Sequence, residues 1–223
     1  ALFNTSQKLF RDYLTLNLIA NASYRQQRAP GTLSSDIDAA TGQVKRDFDI
    51  NPYSYALRTS RTLDANEFYT RNYAPFNIKH ELENNYMDIS VLDTKFQAEL
   101  KANPFKGLEL SALGSVRYQL SETEHNIRDN SNQAEAYRAA YTKMIQNGNP
   151  FLYKNPDDPT GDKYSVLPEG GILRKNSYSA LSMDFRASAT YNTVVSERHV
   201  ITAFAALEVN SLDRHSTSFQ GWG

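Results

Sequence analysis

The sequence has no cysteine, one tryptophan and only 10 glycines among its 223 residues. The lack of cysteine excludes a disulfide scaffold, a thiolate zinc site and a cysteine nucleophile. Neither sign of charge is in excess, because 24 lysines and arginines stand against 25 aspartates and glutamates. A balanced charge provides no bulk attraction for nucleic acid, so we expect no nucleic-acid partner.

Long apolar runs are also missing, and none approaches the ~18–20 residues that a membrane-spanning helix needs. The mean hydropathy of -0.60 is ordinary for a soluble protein. The aromatic content is less ordinary, with 14 tyrosines and 11 phenylalanines. A transmembrane β-barrel remains open, because its strands alternate lipid-facing and lumen-facing side chains and so have a polar average.

What the sequence does contain is a period-two alternation of apolar and polar residues, the pattern of two-faced β-strands. In one segment Leu110, Ala112 and Val116 alternate with Ser111 and Arg117. Five strands are predicted at about residues 9–25, 89–102, 108–120, 178–193 and 199–212. They are longer than the usual ~5–6 residues and long enough for a tilted membrane crossing, which needs ~9–11.

The connections between these strands alternate in length. Short turns are predicted at 103–107 and about 194–198, and long loops at about 26–88 and 121–177. This alternation is typical of outer-membrane barrels, whose long loops are extracellular. Five strands, with the tail of a sixth at residues 1–4, are fewer than the ~8 that a closed barrel needs. The sequence therefore predicts a segment of a larger barrel, with a soluble β-sandwich as the alternative.

Charged residues predict the register of two hairpins. Pairing about the first turn would place Asp93 opposite Arg117 and Lys101 opposite Glu109. In the same register an aromatic side chain, Phe96, would cover Gly114. In the later hairpin the favoured register brings Arg186 to Glu208.

Several longer runs carry a family resemblance. They are NPYSYALR at 51–58, EFYTRNYAPFNI at 67–78, HELENN at 80–85, FQAEL at 96–100, GLELSALG at 107–114 and DNSNQA at 129–134. Over about residues 1–140 the chain resembles SusC/RagA-type TonB-dependent outer-membrane transporters of Bacteroides-like bacteria. The rest of the chain resembles them more loosely.

The resemblance implies an all-β fold, namely part of a 22-stranded transmembrane β-barrel with an N-terminal plug. It implies a place in the cell outer membrane and import of oligosaccharides or peptides. The implied partners are a SusD-like surface lipoprotein, TonB acting through the plug, and outer-membrane lipid. Because the plug and most strands are not in this sequence, we expect the chain to supply barrel wall and extracellular loops. The alternatives are a soluble carbohydrate-binding β-domain and an outer-membrane adhesin or structural barrel.

The first long loop contains the candidate substrate-binding residues, in which aromatic rings alternate with arginines. The candidates are Tyr53, Tyr55, Arg58, Tyr69, Arg71 and Tyr73. Aromatic faces and guanidinium groups suit sugar stacking, peptide backbones and carboxylates. The competing interpretation is that these aromatics only hold the loop in one shape. Elsewhere, Tyr24, Tyr118 and Tyr191 are interpreted as aromatic anchors at the membrane interfaces.

No catalytic or cofactor motif is found, so we predict no enzyme, no cofactor and no metal. The four histidines have no metal-ligand spacing, and Asn84 stands where a His80-Glu81 zinc motif would need its second histidine. The acidic run 155–162 could offer oxygens to calcium, but proline, aspartate and glycine clusters usually form turns. A capping-box variant beginning at Asn132 and a stop at Gly148 predict a loop helix over about 133–147. That helix would pack on neighbouring loops or contact a lid protein.

Overall fold

The structure is a computed structural model that describes residues 2–10, 13–31, 48–195 and 199–223. It is mostly β. The elements in chain order are β1 Leu2–Leu9, β2 Leu14–Pro30, α1 Pro52–Arg58, β3 Tyr69–Arg71, β4 Ala74–Phe76, α2 Ile78–Asn84, β5 Asn85–Phe105, β6 Leu108–Ile127, α3 Asn132–Ala136, α4 Lys143–Gly148, β7 Ile172–Val195 and β8 His199–Trp222. Six long strands form one open antiparallel sheet in the order β1-β2-β5-β6-β7-β8, and β3 and β4 form a separate hairpin. The predicted all-β class with long antiparallel strands is confirmed at this level.

The chain divides into two compact units. The sheet unit consists of residues 1–26, 90–121 and 177–217. The loop unit consists of residues 27–89, 122–176 and 218–223, and it holds all four helices and the β3–β4 hairpin. No helix in the described ranges has both the length and the apolar character to span a membrane.

The first predicted strand, about 9–25, is wrong at its start. The strand β2 begins at Leu14. Of the tail predicted at residues 1–4, Leu2–Asn4 belong to the strand β1, and residue 1 lies outside the described residues. The two strands pair from Leu2 opposite Asn21 to Leu9 opposite Leu14. Between them Phe10 has a φ of 51°, and the Tyr13 N–H donates to the Phe10 carbonyl at 3.3 Å. The segment predicted as one strand is therefore divided between the end of β1 at Leu9 and the start of β2 at Leu14.

The predicted charge pairs test the register of the sheet. Arg117 donates twice to Asp93, at 3.0 and 2.6 Å, and Arg186 contacts Glu208 at 2.8 Å. Both contacts are confirmed. For the third pair, Lys101 Nζ lies 3.3 Å from Glu99 on its own strand, and the pairing of Lys101 opposite Glu109 stays a prediction.

The prediction that the Phe96 ring covers Gly114 is wrong. Nothing lies within 4 Å of the position that a Cβ on this glycine would take. The ring of Phe96 instead lines a notch of about 410 Å³ beside Gly114, together with Met183 and Phe185.

The sheet unit has two chemically different faces. Apolar positions of four strands line one shallow groove of about 620 Å³, so they share a face; they include Leu100, Leu110, Ala112, Ala187, Ala189, Ala205 and Leu207. Large side chains on this face are exposed, at 46% for Phe185 and 61% for Leu207. Ser115 and Ala180 are the only buried residues among those described in this unit. The unit is thus one layer without a core of its own.

The opposite face of the sheet unit carries polar pairs from strand to strand. Besides the two ion pairs above, Asn17 donates to Glu99 at 2.9 Å, and Ser115 donates to Asp184 at 3.0 Å. These contacts join β2 to β5 and β6 to β7. A face built in this way is compatible with water, whereas the apolar face is not.

The loop unit, in contrast, has buried apolar clusters. One contains Ile127, Ala134, Leu167 and Ile172. A second contains Phe48, Ala74 and Ala136, and a third contains Ile50, Phe76 and Ile78. The α3 helix contributes Ala134 to the first cluster and Ala136 to the second. It therefore packs against its own unit, which is the first of the two predicted alternatives.

The loop helix predicted over about 133–147 is wrong in extent, because the structure divides it into α3 and α4. The Asn149 side chain donates to the carbonyls of Ala136 and Ala139 at 2.8 and 2.9 Å, which satisfies the acceptors where the first helix ends. Thr142 then caps a new helix by accepting from the Ile145 N–H at 3.2 Å. Tertiary hydrogen bonds therefore replace the continuous helix.

A single buried amide, that of Asn132, holds the β3–β4 hairpin in the loop unit. Its Nδ2 donates to the carbonyls of Arg71, Ala74 and Pro75 at 2.8, 3.2 and 3.0 Å. Its backbone N–H donates to Glu81 Oε1 at 2.8 Å. Since backbone carbonyls removed from water need partners, this one residue satisfies groups from three segments.

Replacing Asn132 with alanine should loosen the hairpin. The change leaves the buried carbonyl of Ala74 and the partly buried carbonyls of Arg71 and Pro75 without this donor, which costs about 1–3 kcal/mol. Native-state hydrogen exchange on the full-length protein should show a lower opening free energy for the amides of residues 69–76. The matched control is Asn130→Ala at an exposed position, which should change little. Equal protection in both variants would contradict the role given to Asn132.

Glu81 places a carboxyl group in the core of the loop unit, with 1% of the residue exposed. Its Oε1 lies 3.3 Å from His80 Nδ1, and its Oε2 has no hydrogen-bond partner among the described residues. Burial raises the pKa of Glu81 above its ordinary value of 4.5, and the hydrogen bonds from Asn132 and His80 offset this only in part.

This burial predicts a pH effect on stability. A raised folded pKa gives stability that is complete below about pH 4.5, the unfolded value, and is lost as the pH rises through the folded pKa. Glu81→Gln keeps an oxygen for the Asn132 N–H but removes the titration. The variant should therefore gain stability relative to wild type as the pH rises, measured as the opening free energy of α2. A difference that does not change with pH would contradict the assignment.

Candidate ligand-binding pocket in the first loop

The α1 helix begins where the sequence supplies a cap and a proline. The Asn51 side chain accepts from the Tyr53 N–H at 2.9 Å, and Pro52 occupies the first turn, where no backbone N–H is needed. The Asn51 N–H in turn donates to Asp49 Oδ1 at 3.1 Å. Helical spacing then places Tyr55 and Arg58 on one face of α1.

The second part of the site is the β3–β4 hairpin. Asn72 and Tyr73 form its two-residue turn with φ values of 52° and 66°, which is the backbone of a type I′ turn. Tyr69 lies opposite Phe76, and Arg71 lies opposite Ala74. Because residues two apart in a strand share a face, Tyr69 and Arg71 point to the same side.

Phe76 joins these two parts. Its ring is fully buried, and its centroid lies 5.3 Å from the Tyr69 ring and 6.4 Å from the Tyr55 ring. The guanidinium of Arg71 lies 4.7 Å from the same centroid, a cation–π distance. One core side chain thus holds three of the candidate residues in place.

The result is a cavity of about 180 Å³ that we call the arginine pocket. Its lining consists of Asp49, Ser54, Tyr55, Arg58, Thr59, Tyr69 and Arg71. The structure therefore brings together four of the six predicted substrate-binding residues. The pocket offers a polar ligand two guanidinium groups, one carboxylate and several hydroxyl groups.

The Tyr69 hydroxyl is a donor over the physiological pH range. Burial raises the pKa of Tyr69 above its ordinary value of 10.0, the neighbouring Tyr55 adds to this, and the Arg71 guanidinium opposes it. The phenol therefore stays protonated next to the positive charge of Arg71.

The other two predicted residues lie outside the arginine pocket. Tyr53 is 73% exposed at the start of α1. The Tyr73 hydroxyl donates to the Gly148 carbonyl at 2.9 Å, which links the hairpin turn to the end of α4. For Tyr73 this contact agrees with the interpretation that loop aromatics hold the loop in one shape.

Three lining residues were not predicted from the sequence. Ser54 and Thr59 could have been found, because they flank Tyr55 and Arg58 on the same helical face. Asp49 precedes the helix cap, and it enters the pocket through its contact with Asn51. No spacing in the sequence signals that position.

The acidic run 155–162 forms a turn in which Asp158 and Asp162 already have partners for a carboxylate oxygen. Asp158 Oδ1 accepts from the backbone N–H groups of Thr160 and Gly161 at 3.2 and 2.9 Å. Lys143 contacts the Asp162 carboxylate, and Lys154 donates to the Gly161 carbonyl. Within the described ranges no three histidine, aspartate or glutamate side chains converge as a metal site requires. The turn interpretation therefore accounts for this run.

A scan against protein-family models finds no match for the chain. A search of curated proteins finds no significantly similar sequence.

The Tyr73→Phe variant tests whether Tyr73 has a structural role outside the arginine pocket. The variant loses the hydrogen bond to the Gly148 carbonyl, which should lower the opening free energy of α4 by about 1 kcal/mol. Tyr53→Phe removes an exposed hydroxyl and should have no such effect, so it is the control. The measurement is amide hydrogen exchange at residues 143–149, and unchanged exchange in Tyr73→Phe would contradict the structural role.

Proposed function

We propose that this chain is part of the wall and extracellular loops of an outer-membrane barrel that imports nutrients in the manner of SusC/RagA-type transporters. The observation that supports this most is the pair of faces on the sheet unit. A single layer with an exposed apolar face needs a cover, and lipid would cover every strand of it equally. The finer assignments, a 22-stranded barrel, a SusD-like lid and TonB coupling, rest on the resemblance of the sequence runs.

The length of the strands supports the same proposal. The apolar side of β6 extends from Leu108 to Tyr118. This is about the length of 9–11 residues that a tilted membrane crossing needs. Tyr118 stands near the loop end of this stretch, and Tyr191 stacks edge-on with Phe105 near the turn end, with ring centroids 6.3 Å apart. Aromatic residues at both ends of an apolar band match the interfacial girdles of membrane barrels.

The polar face fits a barrel interior. Its ion pairs and amide contacts would face water or a plug, as the lumens of large barrels do. In this proposal the apolar face anchors the wall, the polar face lines the lumen, and the loop unit shapes the extracellular mouth. Nutrient oligosaccharides or peptides would meet the arginine pocket there.

A soluble carbohydrate-binding domain is the second candidate, and the arginine pocket favours it. A pocket with tyrosines and polar groups serves a binding module equally well. This candidate needs a protein layer over the apolar face, because water cannot cover it. The two candidates therefore differ in what contacts that face.

A pair of arginine substitutions on β7 distinguishes them. Ala187 lies on the apolar face, and Ser182 lies on the opposite one, where its Oγ contacts Asp184 Oδ2 at 3.5 Å. In lipid, Ala187→Arg should cost about 2–4 kcal/mol and Ser182→Arg close to nothing. The measurement is the folding free energy of the full-length protein into phospholipid vesicles. Equal costs for both variants would contradict the membrane proposal.

Transport itself needs a cellular experiment. Deleting the gene of the full-length protein should abolish uptake of one class of oligosaccharide or peptide while surface attachment is kept. Loss of attachment with normal uptake would instead favour the adhesin. Restoration by the wild-type gene is the control for effects on neighbouring genes.

A further inference from the structure

We propose that the arginine pocket binds the carboxylate group of an acidic ligand. This inference deepens the proposed import function, because it names the class of substrate that the loop unit would recognise. It rests on the charges, the donors and the size of the pocket.

The charges come first. Other arginines in the described ranges, such as Arg28 and Arg138, form ion pairs with carboxylates. Arg58 and Arg71 line a cavity and form no ion pair with any described carboxylate, although the charge of Arg71 acts on the buried Glu81 and lowers its pKa. Among the described residues of the lining Asp49 is the only acidic one, and against Arg58 and Arg71 it leaves an excess of one positive charge. A ligand with one negative charge would balance it.

The orientation of the groups is the second argument. Arg71 is held over the Phe76 ring at 4.7 Å, so its planar guanidinium is ordered before a ligand arrives. An ordered guanidinium favours a carboxylate because the two groups match in a bidentate hydrogen-bonded pair. The Tyr69 and Ser54 hydroxyls supply further donors to an oxyanion.

Asp49 adds specificity for a hydrogen-bond donor on the ligand. It is 5% exposed, and its Oδ1 already accepts from the Asn51 N–H. Its remaining acceptor capacity suits a hydroxyl or an amide N–H on the same ligand. A uronic acid unit and the terminal residue of a peptide both carry such a donor beside their carboxylate. At about 180 Å³ the cavity has room for one such unit and not for a longer chain.

The test is calorimetric titration of the purified full-length protein in detergent with two matched pairs of probes. The first pair is D-glucuronate and D-glucose, and the second is N-acetyl-L-alanine and its amide. We expect at least one acid to bind roughly 10- to 100-fold more tightly than its neutral partner, as a charge-assisted hydrogen-bonded pair provides. A preference for the first acid identifies an acidic sugar, and one for the second a peptide terminus. Equal affinity within both pairs would overturn the proposal.

Variants connect that preference to the pocket. Arg58→Met and Arg71→Met should each reduce the affinity for the acid by roughly 10-fold or more and leave the neutral probe unchanged. Arg71→Lys keeps the charge but loses the planar fork, so it should give an intermediate loss. Arg61→Met, an exposed arginine outside the lining, is the matched control. A loss as large in the control as in the pocket variants would overturn the assignment.

The inference and the import proposal can fail separately. Acid binding that depends on Arg58 and Arg71, without an uptake defect in the deletion strain, would keep the ligand class and overturn import. Uptake that depends on the protein, with no acid preference in the titrations, would keep import and overturn the ligand class.

Discussion

The sheet unit is one layer thick, so each of its two faces contacts its surroundings directly. A layer with one apolar face cannot remain in water with Phe185 and Leu207 about half exposed. The other face is stabilised by contacts such as Asp93–Arg117 and Arg186–Glu208, so it does not need a cover. The sheet unit therefore requires an apolar neighbour on one side only, and the proposed barrel wall between lipid and a hydrated lumen would provide it.

The loop unit has a different requirement, namely hydrogen-bond partners for its backbone. Its segments have little regular structure, so their backbone groups need partners that a ladder would otherwise supply. The side chains of Asn132 and Asn149 provide them, each donating to carbonyls of other segments. Buried clusters around Phe76 and Ile127 then exclude water. The rigid loops that result can hold ligand-binding groups, and the arginine pocket is built on that support.

The sequence predicted what depends on local spacing. Period-two alternation located the long strands, and opposite charges on Asp93 and Arg117 identified one register correctly. The mixture of aromatic residues and arginines in the first long loop also named Tyr55, Arg58, Tyr69 and Arg71 as candidates. That these four residues line one pocket depends on the burial of Phe76, a long-range event that spacing does not encode. The prediction of one continuous loop helix is wrong for the same reason, because the side-chain amide that binds the carbonyls at the end of α3 belongs to Asn149.

The most direct test of the membrane account is a nitroxide scan along β7 of the full-length protein in lipid vesicles. A single cysteine would be placed at each position from 183 to 189, in a segment of 223 residues that has none of its own. Collisions with oxygen should peak at 183, 185, 187 and 189, and collisions with a water-soluble nickel complex at the positions between them. This opposite alternation is what lipid on one face and water on the other require. Equal access of the nickel complex to both faces, or a face closed to both reagents, would contradict it.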